Sequence, residues 1–392
     1  MHSMQNFDDI RPYRNDELPT VLNRLLDDPE FNRIMIKYLN KGEDEFEKLK
    51  AAMKATKTIE LFQGNFVVPM INKIVASSSK GVTISGLKEL DKNQRYLYIS
   101  NHRDIILDSA LMNVEMHADG FSPTEIAIGS NLLIFPWIND LVRINRSFVV
   151  KRNIPVKQML TSSKLLSHYI RQMITRGSDS IWIAQREGRA KDGNDITQPA
   201  LLKMLNMSNN AGFFEGFKEL KIVPMAISYE IEPCGNEKVA EIKKRQTDPN
   251  FQKTEKDDLL SMVSGLKNQK GRIHIQFGKQ IDDGTLQHIS EEPSVNERMR
   301  LLAEYIDKEI YKNYRLFPNN FIAYDLYFKT SKYANRYSET EKKEYLELTH
   351  TRLQLVNEDI EDSLELWLKM YAAPVYNFEK YVLGEVTNPA II

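Results

Sequence analysis

The 392-residue chain contains a single cysteine, Cys234. One thiol cannot form an intrachain disulfide, and no cluster of cysteine and histidine at metal-ligand spacing accompanies it. The sequence therefore predicts neither a disulfide scaffold nor a structural zinc site, and we expect no bound metal or redox cofactor. The low cysteine content is typical of proteins in a reducing cytoplasm.

An excess of charge of one sign is also missing. Lys and Arg total 53 and Asp and Glu total 54, which gives a formal net charge of -1. A chain with this balance has no overall positive field to attract nucleic acid, so nucleic acid is not expected as a partner. Any site that binds an anion must be local.

Long apolar runs are absent as well. The most apolar stretches, 66–76 and 126–138, are too short or too interrupted to cross a bilayer, which takes about 20 apolar residues. The first residues lack the basic start and apolar run of a signal peptide. We therefore expect a cytoplasmic protein that, if it acts on lipid, does so as a peripheral protein on the inner membrane face.

The distribution of apolar residues predicts an α/β fold with helical additions at both ends. Spacings of three and four predict helices from 16 to about 79 and again after 293, with a break at Pro318. Strands that alternate with helices indicate a mixed, largely parallel sheet covered by helices. Short β-branched or aromatic runs predict the strands at 82–85, 96–100, 125–128, 147–151, 180–184, 221–229 and 272–277.

The predicted organisation is a helical N-terminal region at 1–80, an α/β domain at 81–290 and a helical C-terminal extension at 291–392. The polar segment 232–270 lies between two predicted strands and is interpreted as an insertion with one or two helices. This length fits one enzyme-sized domain with additions, or two domains.

His102 is the strongest candidate for a catalytic residue. It follows the strand 96–100 and precedes a helix that is predicted to start near Asp104, so it lies at a strand-to-helix corner within reach of a substrate. A neutral imidazole there can accept a proton as a general base. Asp104 or Asp108 can orient the imidazole, and Asp104 also suits the helix N-cap.

A second candidate segment follows the strand 180–184. Here a glycine stands among basic residues, and such a loop can turn backbone N–H groups and guanidinium groups toward a phosphate. Together with His102, this loop has the parts needed to position a phosphorylated alcohol. The predicted substrate-binding residues are Arg152, Arg186, Glu187, Gly188, Arg189 and Lys191.

Other enzyme classes are not supported by the motifs. The string His102-Arg103-Asp104 is found in protein kinases, but position 109 is serine instead of the magnesium-binding asparagine, and no glycine-rich loop accompanies it. The chain also lacks the Gly-x-Ser-x-Gly motif of serine hydrolases and the His-Glu-x-x-His motif of zinc hydrolases.

Four segments in order resemble the blocks of the glycerol-3-phosphate and lysophosphatidic acid acyltransferase family. The family's first block is histidine, four residues, then aspartate, and its third block reads Phe-Pro-Glu-Gly-Thr-Arg-Ser. The matching segments here are 101–108, 126–152, 185–191 and 222–227, and the third shares Glu187-Gly188. Two departures are that five residues separate His102 from Asp108, and that Arg189-Ala190-Lys191 replaces Thr-Arg-Ser.

The resemblance implies a transferase that moves a fatty acyl group from acyl-CoA or acyl-acyl carrier protein to glycerol 3-phosphate or a lysophospholipid in phospholipid biosynthesis. It implies an acyl thioester donor, a lipid-type acceptor and, as a further partner, acyl carrier protein. A lyso-amino-acid lipid is an alternative acceptor. The alternative from another class is a non-catalytic lipid-binding scaffold that retains this fold.

Overall fold

The computed structural model describes residues 6–39, 43–177, 179–356 and 360–385. Its centre is a mixed sheet with the strand order β1-β7-β6-β2-β5-β3-β4, in which only β6 and β7 pair antiparallel within the described ranges. The strands are β1 (Val82–Ser85), β2 (Leu97–Ser100), β3 (Glu125–Gly129), β4 (Ser147–Val150), β5 (Ile181–Ala184), β6 (Ile222–Tyr229) and β7 (Ile273–Phe277).

The chain before the sheet is helical, as the spacing of its apolar residues predicts. Leu18, Leu22, Leu25 and Leu26 of the first helix pack with Ile144 in one apolar cluster. This region therefore rests against the α/β part of the molecule through a shared core. Its helices are α1 (Leu18–Asp27), α2 (Pro29–Leu39), α3 (Glu43–Lys54), α4 (Ile59–Phe62) and α5 (Val68–Ser78).

Helices between the strands cover both faces of the sheet. The segment 232–270 forms two of them, α11 and α12, so the predicted insertion is helical. The helices of this part are α6 (Leu107–Ala118), α7 (Pro136–Ile144), α8 (Val156–Arg176), α9 (Pro199–Asn206), α10 (Gly212–Lys218), α11 (Gly235–Thr247), α12 (Glu255–Lys267) and α13 (Asp283–Ser290).

The remaining chain forms α14 (Val295–Asn313), α15 (Pro318–Tyr327), α16 (Glu339–Leu353) and α17 (Ile360–Phe378). The predicted break is present, because α14 ends at Asn313, and Pro318 itself is the first residue of the next helix, α15. Proline is favoured in the first turn of a helix, where its missing N–H has no partner to lose. Asn320 supports this start by accepting a hydrogen bond from the backbone N–H of Phe317, 2.9 Å away.

Alternate residues of the strands face two different apolar clusters. Leu97 and Ile99 of β2 pack with residues of α8, α9, α10, α13 and α14, whereas Tyr98 packs with residues of α5 and α6. A third cluster joins α15 and α17 with Val239 of α11. The α/β class and the largely parallel sheet are thus confirmed, and the boundaries at 80 and 290 stay predictions. No helix in the described ranges is both long and apolar enough for a transmembrane span.

Candidate active site

The carboxyl ends of five parallel strands meet at one edge of the sheet, which we call the carboxyl edge. Within this group β2 lies between β6 and β5, with Ser100 in register with Ala184 of β5 and Met225 of β6. Loops that follow such strand ends commonly carry the chemistry of α/β proteins. His102 lies two residues beyond Ser100, and the loop that contains Glu187 follows Ala184.

Asn101 fixes the corner from which His102 extends. Its fully buried side-chain amide donates to the carbonyl oxygen of Ile227 and accepts from the N–H of Ile227, both at 2.8 Å. The amide thereby takes the place of a backbone group and extends the pairing of β2 with β6 by one residue. Sequence analysis did not identify this role.

His102 is held by Asp108. Its Nδ1 lies 2.7 Å from Oδ2 of Asp108, the His102 side chain is 14% exposed and the Asp108 side chain is fully buried. Asp108 lies in the first turn of α6, so the helix start brings it back toward the corner. The five intervening residues are accommodated by the turn at 103–106.

Asp108 is held in turn by three further donors. Its Oδ2 accepts from the backbone N–H groups of Arg103 at 2.6 Å and Asp104 at 3.0 Å, and its Oδ1 accepts from the hydroxyl of Tyr229 at 2.8 Å. Burial acts to raise the pKa of Asp108, but the hydrogen bonds from His102 and the backbone hold it below its ordinary value. An ionised carboxylate only accepts hydrogen bonds, so Nδ1 of His102 donates and Nε2 is left as the proton acceptor.

Asp104 has a different position. Its Oδ1 accepts from the N–H groups of Ile106 at 2.9 Å and Leu107 at 2.7 Å, which caps the start of α6. Burial and the charge of Asp108 raise its pKa. Between the two alternatives left open by the sequence, the contact with the imidazole therefore belongs to Asp108 and the capping to Asp104.

The insertion packs closely against Asp104. Oδ2 of Asp104 lies 3.5 Å from the thiol of Cys234, and a Cβ added at Gly265 of α12 would come within 1.9 Å of the same oxygen. Only a residue without a side chain allows α12 to lie this near. The insertion thus packs against the turn that follows His102.

Trp182 borders His102 on the neighbouring strand. The two rings pack edge to face with centroids 5.5 Å apart, and Nε1 of Trp182 donates to the hydroxyl of Ser100 at 2.9 Å. Trp182 and Tyr229 were both missed by sequence reasoning. The available signal was their place on β5 and β6, the two strands that flank β2.

The loop after β5 turns at Gly188, which has a positive φ of 69°. Glu187 in this loop meets Arg152, which follows β4, with 2.9 Å between Oε2 and Nη1. Their side chains are 65% and 30% exposed, respectively. The structure therefore brings together these two predicted substrate-binding residues at the carboxyl edge.

The other predicted basic residues face the protein interior to different extents. Arg186 is half-buried and makes a 3.5 Å contact with the carbonyl of Asn194. Arg189 is buried, and its charge acts to lower the pKa of Asp104. Lys191 lies 3.6 Å from Glu241 of α11, and burial lowers its pKa to about 7. Their role in binding phosphate stays a prediction.

Arg103 ties the loop and the insertion to the same corner. This buried guanidinium lies 3.0 Å from Asp195 and 3.6 Å from Glu232, and it contacts the carbonyl of Gly193 at 3.4 Å. A buried charge of this kind needs such partners to offset its loss of hydration. Sequence analysis considered Arg103 only within the kinase-like string and missed this function.

Comparisons with known proteins give one family match. The family model described as Acyltransferase matches residues 81–228, which include β1 to most of β6, His102, Asp108 and the loop after β5. A search of curated proteins gives no match. Among solved structures, the chain is similar to the 1-acyl-sn-glycerophosphate acyltransferase PlsC from Thermotoga maritima, with 11% identity, coverage of 76% of this chain and 94% of that one, and a TM-score of 0.39.

Proposed function

Because residues 81–228 form a domain of the acyltransferase family, we propose that this enzyme moves a fatty acyl group from acyl-CoA or acyl-acyl carrier protein to a hydroxyl of glycerol 3-phosphate or a lysophospholipid. The product would be an ester in the synthesis of membrane phospholipids. The observation that carries the proposal is the hydrogen bond between Nδ1 of His102 and buried Asp108 at the carboxyl edge.

In the proposed reaction, Nε2 of His102 removes the proton from the acceptor hydroxyl while the oxygen attacks the thioester carbonyl carbon. The new C–O bond forms, the C–S bond breaks, and the leaving thiolate takes the proton from the imidazolium. Asp108 keeps the imidazole oriented and stabilises its charged form. A positioned base of this kind contributes about 10²- to 10⁴-fold to the rate.

Arg152 is the basic residue best placed to meet an acidic head group. Its partner Glu187 is 65% exposed, and exposed ion pairs contribute little, so exchange of that carboxylate for a phosphate costs little. A guanidinium can bind a phosphate through two parallel hydrogen bonds. Arg186 and Arg189 would add positive charge from the loop after β5, and Lys191 would do so in its protonated form.

The test is release of free thiol from palmitoyl-CoA and from palmitoyl-acyl carrier protein. Each donor is combined with glycerol 3-phosphate, lysophosphatidic acid or a lyso-amino-acid lipid, for wild type and for His102→Ala. We expect acceptor-dependent release for one donor and acceptor pair, and its loss by about 100-fold or more in the variant. The pair that reacts identifies the acceptor.

A second readout separates catalysis from folding. Circular dichroism should be the same for His102→Ala as for wild type, and thermal unfolding should stay cooperative at a somewhat lower temperature, because the variant removes one hydrogen-bond donor of buried Asp108. If folded wild-type protein released no thiol with any pair but bound the lysolipids, the non-catalytic lipid-binding scaffold would replace the proposal.

A further inference from the structure

The start of α8 extends out of the body of the protein. All six of its first residues, 156–161, are exposed, and the first buried residue of the helix is Leu166. Three of these exposed residues are large and apolar: Val156 is 82% exposed, Met159 52% and Leu160 61%. Their burial in water-free surroundings would be favourable, but no part of the described chain covers them.

The three side chains lie on one face of the helix. Spacings of three and four residues place Val156 next to Met159 and Leu160 on adjacent turns. Single exposed apolar residues are ordinary on protein surfaces, whereas a contiguous group indicates a surface that meets another phase or partner. We call this group the α8 apolar face.

The α8 apolar face lies near the candidate active site. It begins four residues after Arg152, the residue that pairs with Glu187 at the carboxyl edge. Asn153, with a positive φ of 54°, and Pro155 form the turn between them. A surface bound to this face would therefore lie beside the loops that surround His102.

Positive charge borders the face on one side. The 21 residues of α8 include no aspartate or glutamate, and Lys157 and Lys164 are exposed. No ion pair of either lysine is found in the described part of the chain. The N-terminus of the helix adds the positive end of its dipole. Exposed apolar side chains next to lysines fit a bilayer that contains anionic lipid. The apolar groups can enter the region between the head groups and the acyl chains, and the lysines can contact the anionic head groups.

We propose that the first turns of α8 dock the protein on an anionic lipid surface, with Val156, Met159 and Leu160 inserted and Lys157 and Lys164 against the head groups. This inference rests on the proposed function, since a lipid acceptor or product at the carboxyl edge has to exchange with a membrane. It adds the surface through which that exchange takes place.

The test is co-sedimentation with vesicles of phosphatidylcholine alone and of phosphatidylcholine with about 30% phosphatidylglycerol. We expect wild type to bind the anionic vesicles, and the triple variant Val156→Ser, Met159→Gln, Leu160→Gln to bind about tenfold more weakly or less. Lys157→Gln with Lys164→Gln should weaken binding to the anionic vesicles alone. Vesicle binding needs no turnover, so it is scored independently of the acyltransferase reaction.

A matched control removes exposed apolar residues elsewhere. Val295 is the first residue of α14 and is 60% exposed, while Leu346 and Leu355 are 41% and 75% exposed. The variant Val295→Ser, Leu346→Gln, Leu355→Gln should bind vesicles like wild type. Acyl transfer between water-soluble, short-chain forms of the reactive donor and acceptor should be unchanged in both triple variants, which shows that they are folded.

Three outcomes would overturn the docking proposal. Wild type could fail to bind either vesicle, the triple variant could bind as well as wild type, or the control could lose binding equally. In the second of these cases, loss of transfer from acyl-acyl carrier protein in the triple variant would show that the face serves a protein partner instead. Failure of wild type to transfer an acyl group with any of the donor and acceptor pairs, with vesicle binding intact, would instead contradict the proposed function.

Discussion

A carboxylate is buried beside a tyrosine at the carboxyl edge and also at the opposite ends of the parallel strands, which we call the amino edge. The two sites have opposite effects on the pKa of the carboxylate. At the carboxyl edge, the hydroxyl of Tyr229 lies 2.8 Å from Asp108, whose pKa is held below its ordinary value. At the amino edge, the hydroxyl of Tyr169 lies 2.5 Å from Glu125, the first residue of β3, whose pKa is raised by burial to about 7.

The difference comes from the other donors around each carboxylate. Asp108 also accepts from His102 and from two backbone N–H groups, and these stabilise its charged form. The largest influence on Glu125 is burial, and the charge of Asp179 raises its pKa further. A buried carboxylate alone therefore does not indicate a catalytic site, whereas one that stays ionised against an imidazole can support proton transfer.

Among the substitutions at the two edges, Asp108→Asn should cause the largest loss of acyl-transfer rate. An amide can turn its NH₂ group toward Nδ1 and favour the wrong imidazole tautomer, so we expect acyl transfer to fall by about 100-fold or more. The measurement is the acceptor-dependent rate of thiol release. Asp104→Asn is the control, because an asparagine can still cap α6; a greater loss in that variant would contradict the assignment of Asp108.

Tyr229→Phe should have an intermediate effect. The variant leaves Oδ1 of buried Asp108 without its hydroxyl donor, and loss of such a hydrogen bond to a charged group costs about 2 kcal/mol of stability. Acyl transfer should fall by about tenfold at most, since His102 and the backbone still hold the carboxylate. Urea unfolding and steady-state rates measure the two effects.

The matched change at the other edge is Tyr169→Phe. It should lower the free energy of unfolding without a comparable loss of rate, because Glu125 has no contact with His102 in the described structure. Equal losses of rate in the two variants would mean that both tyrosines act through stability alone.

Glu125→Gln should have the smallest effect and should alter the pH dependence of stability. The pKa of Glu125 is higher in the folded protein than in the unfolded chain, so its contribution is present below about pH 4.5 and is lost as pH rises through about 7. Glutamine cannot ionise, so the variant should lose less stability than wild type between pH 5 and pH 8. Thermal unfolding measured between pH 5 and pH 8 gives this difference in stability. Curves of stability against pH that run parallel for the two proteins would contradict the account.

The strands were predictable because their signals are local. Each of the seven predicted runs matches a strand of the sheet to within one residue at either end, since β-branched and aromatic residues stand together in short segments. The start of α15 was not predicted, because a proline both interrupts helices and begins them. Whether Pro318 interrupts a helix or begins one depends on how the residues after it pack.

The candidate site was predictable only where its parts are close in sequence. The corner at His102 follows from one strand and one helix, but the choice between Asp104 and Asp108 depends on how the turn at 103–106 folds. Tyr229 lies 121 residues from Asp108, and their contact follows from the pairing of β6 with β2. Such contacts follow from sheet order, which short motifs do not specify.

The most direct test of the account compares one variant from each edge in the same acyl-transfer assay. With the reactive donor and acceptor, His102→Ala should lose about 100-fold or more of the acceptor-dependent rate, whereas Glu125→Gln should keep at least about half of it at neutral pH. Both proteins should remain folded. Retention of more than about a tenth of the rate in folded His102→Ala would contradict the claim that His102 activates the acceptor hydroxyl.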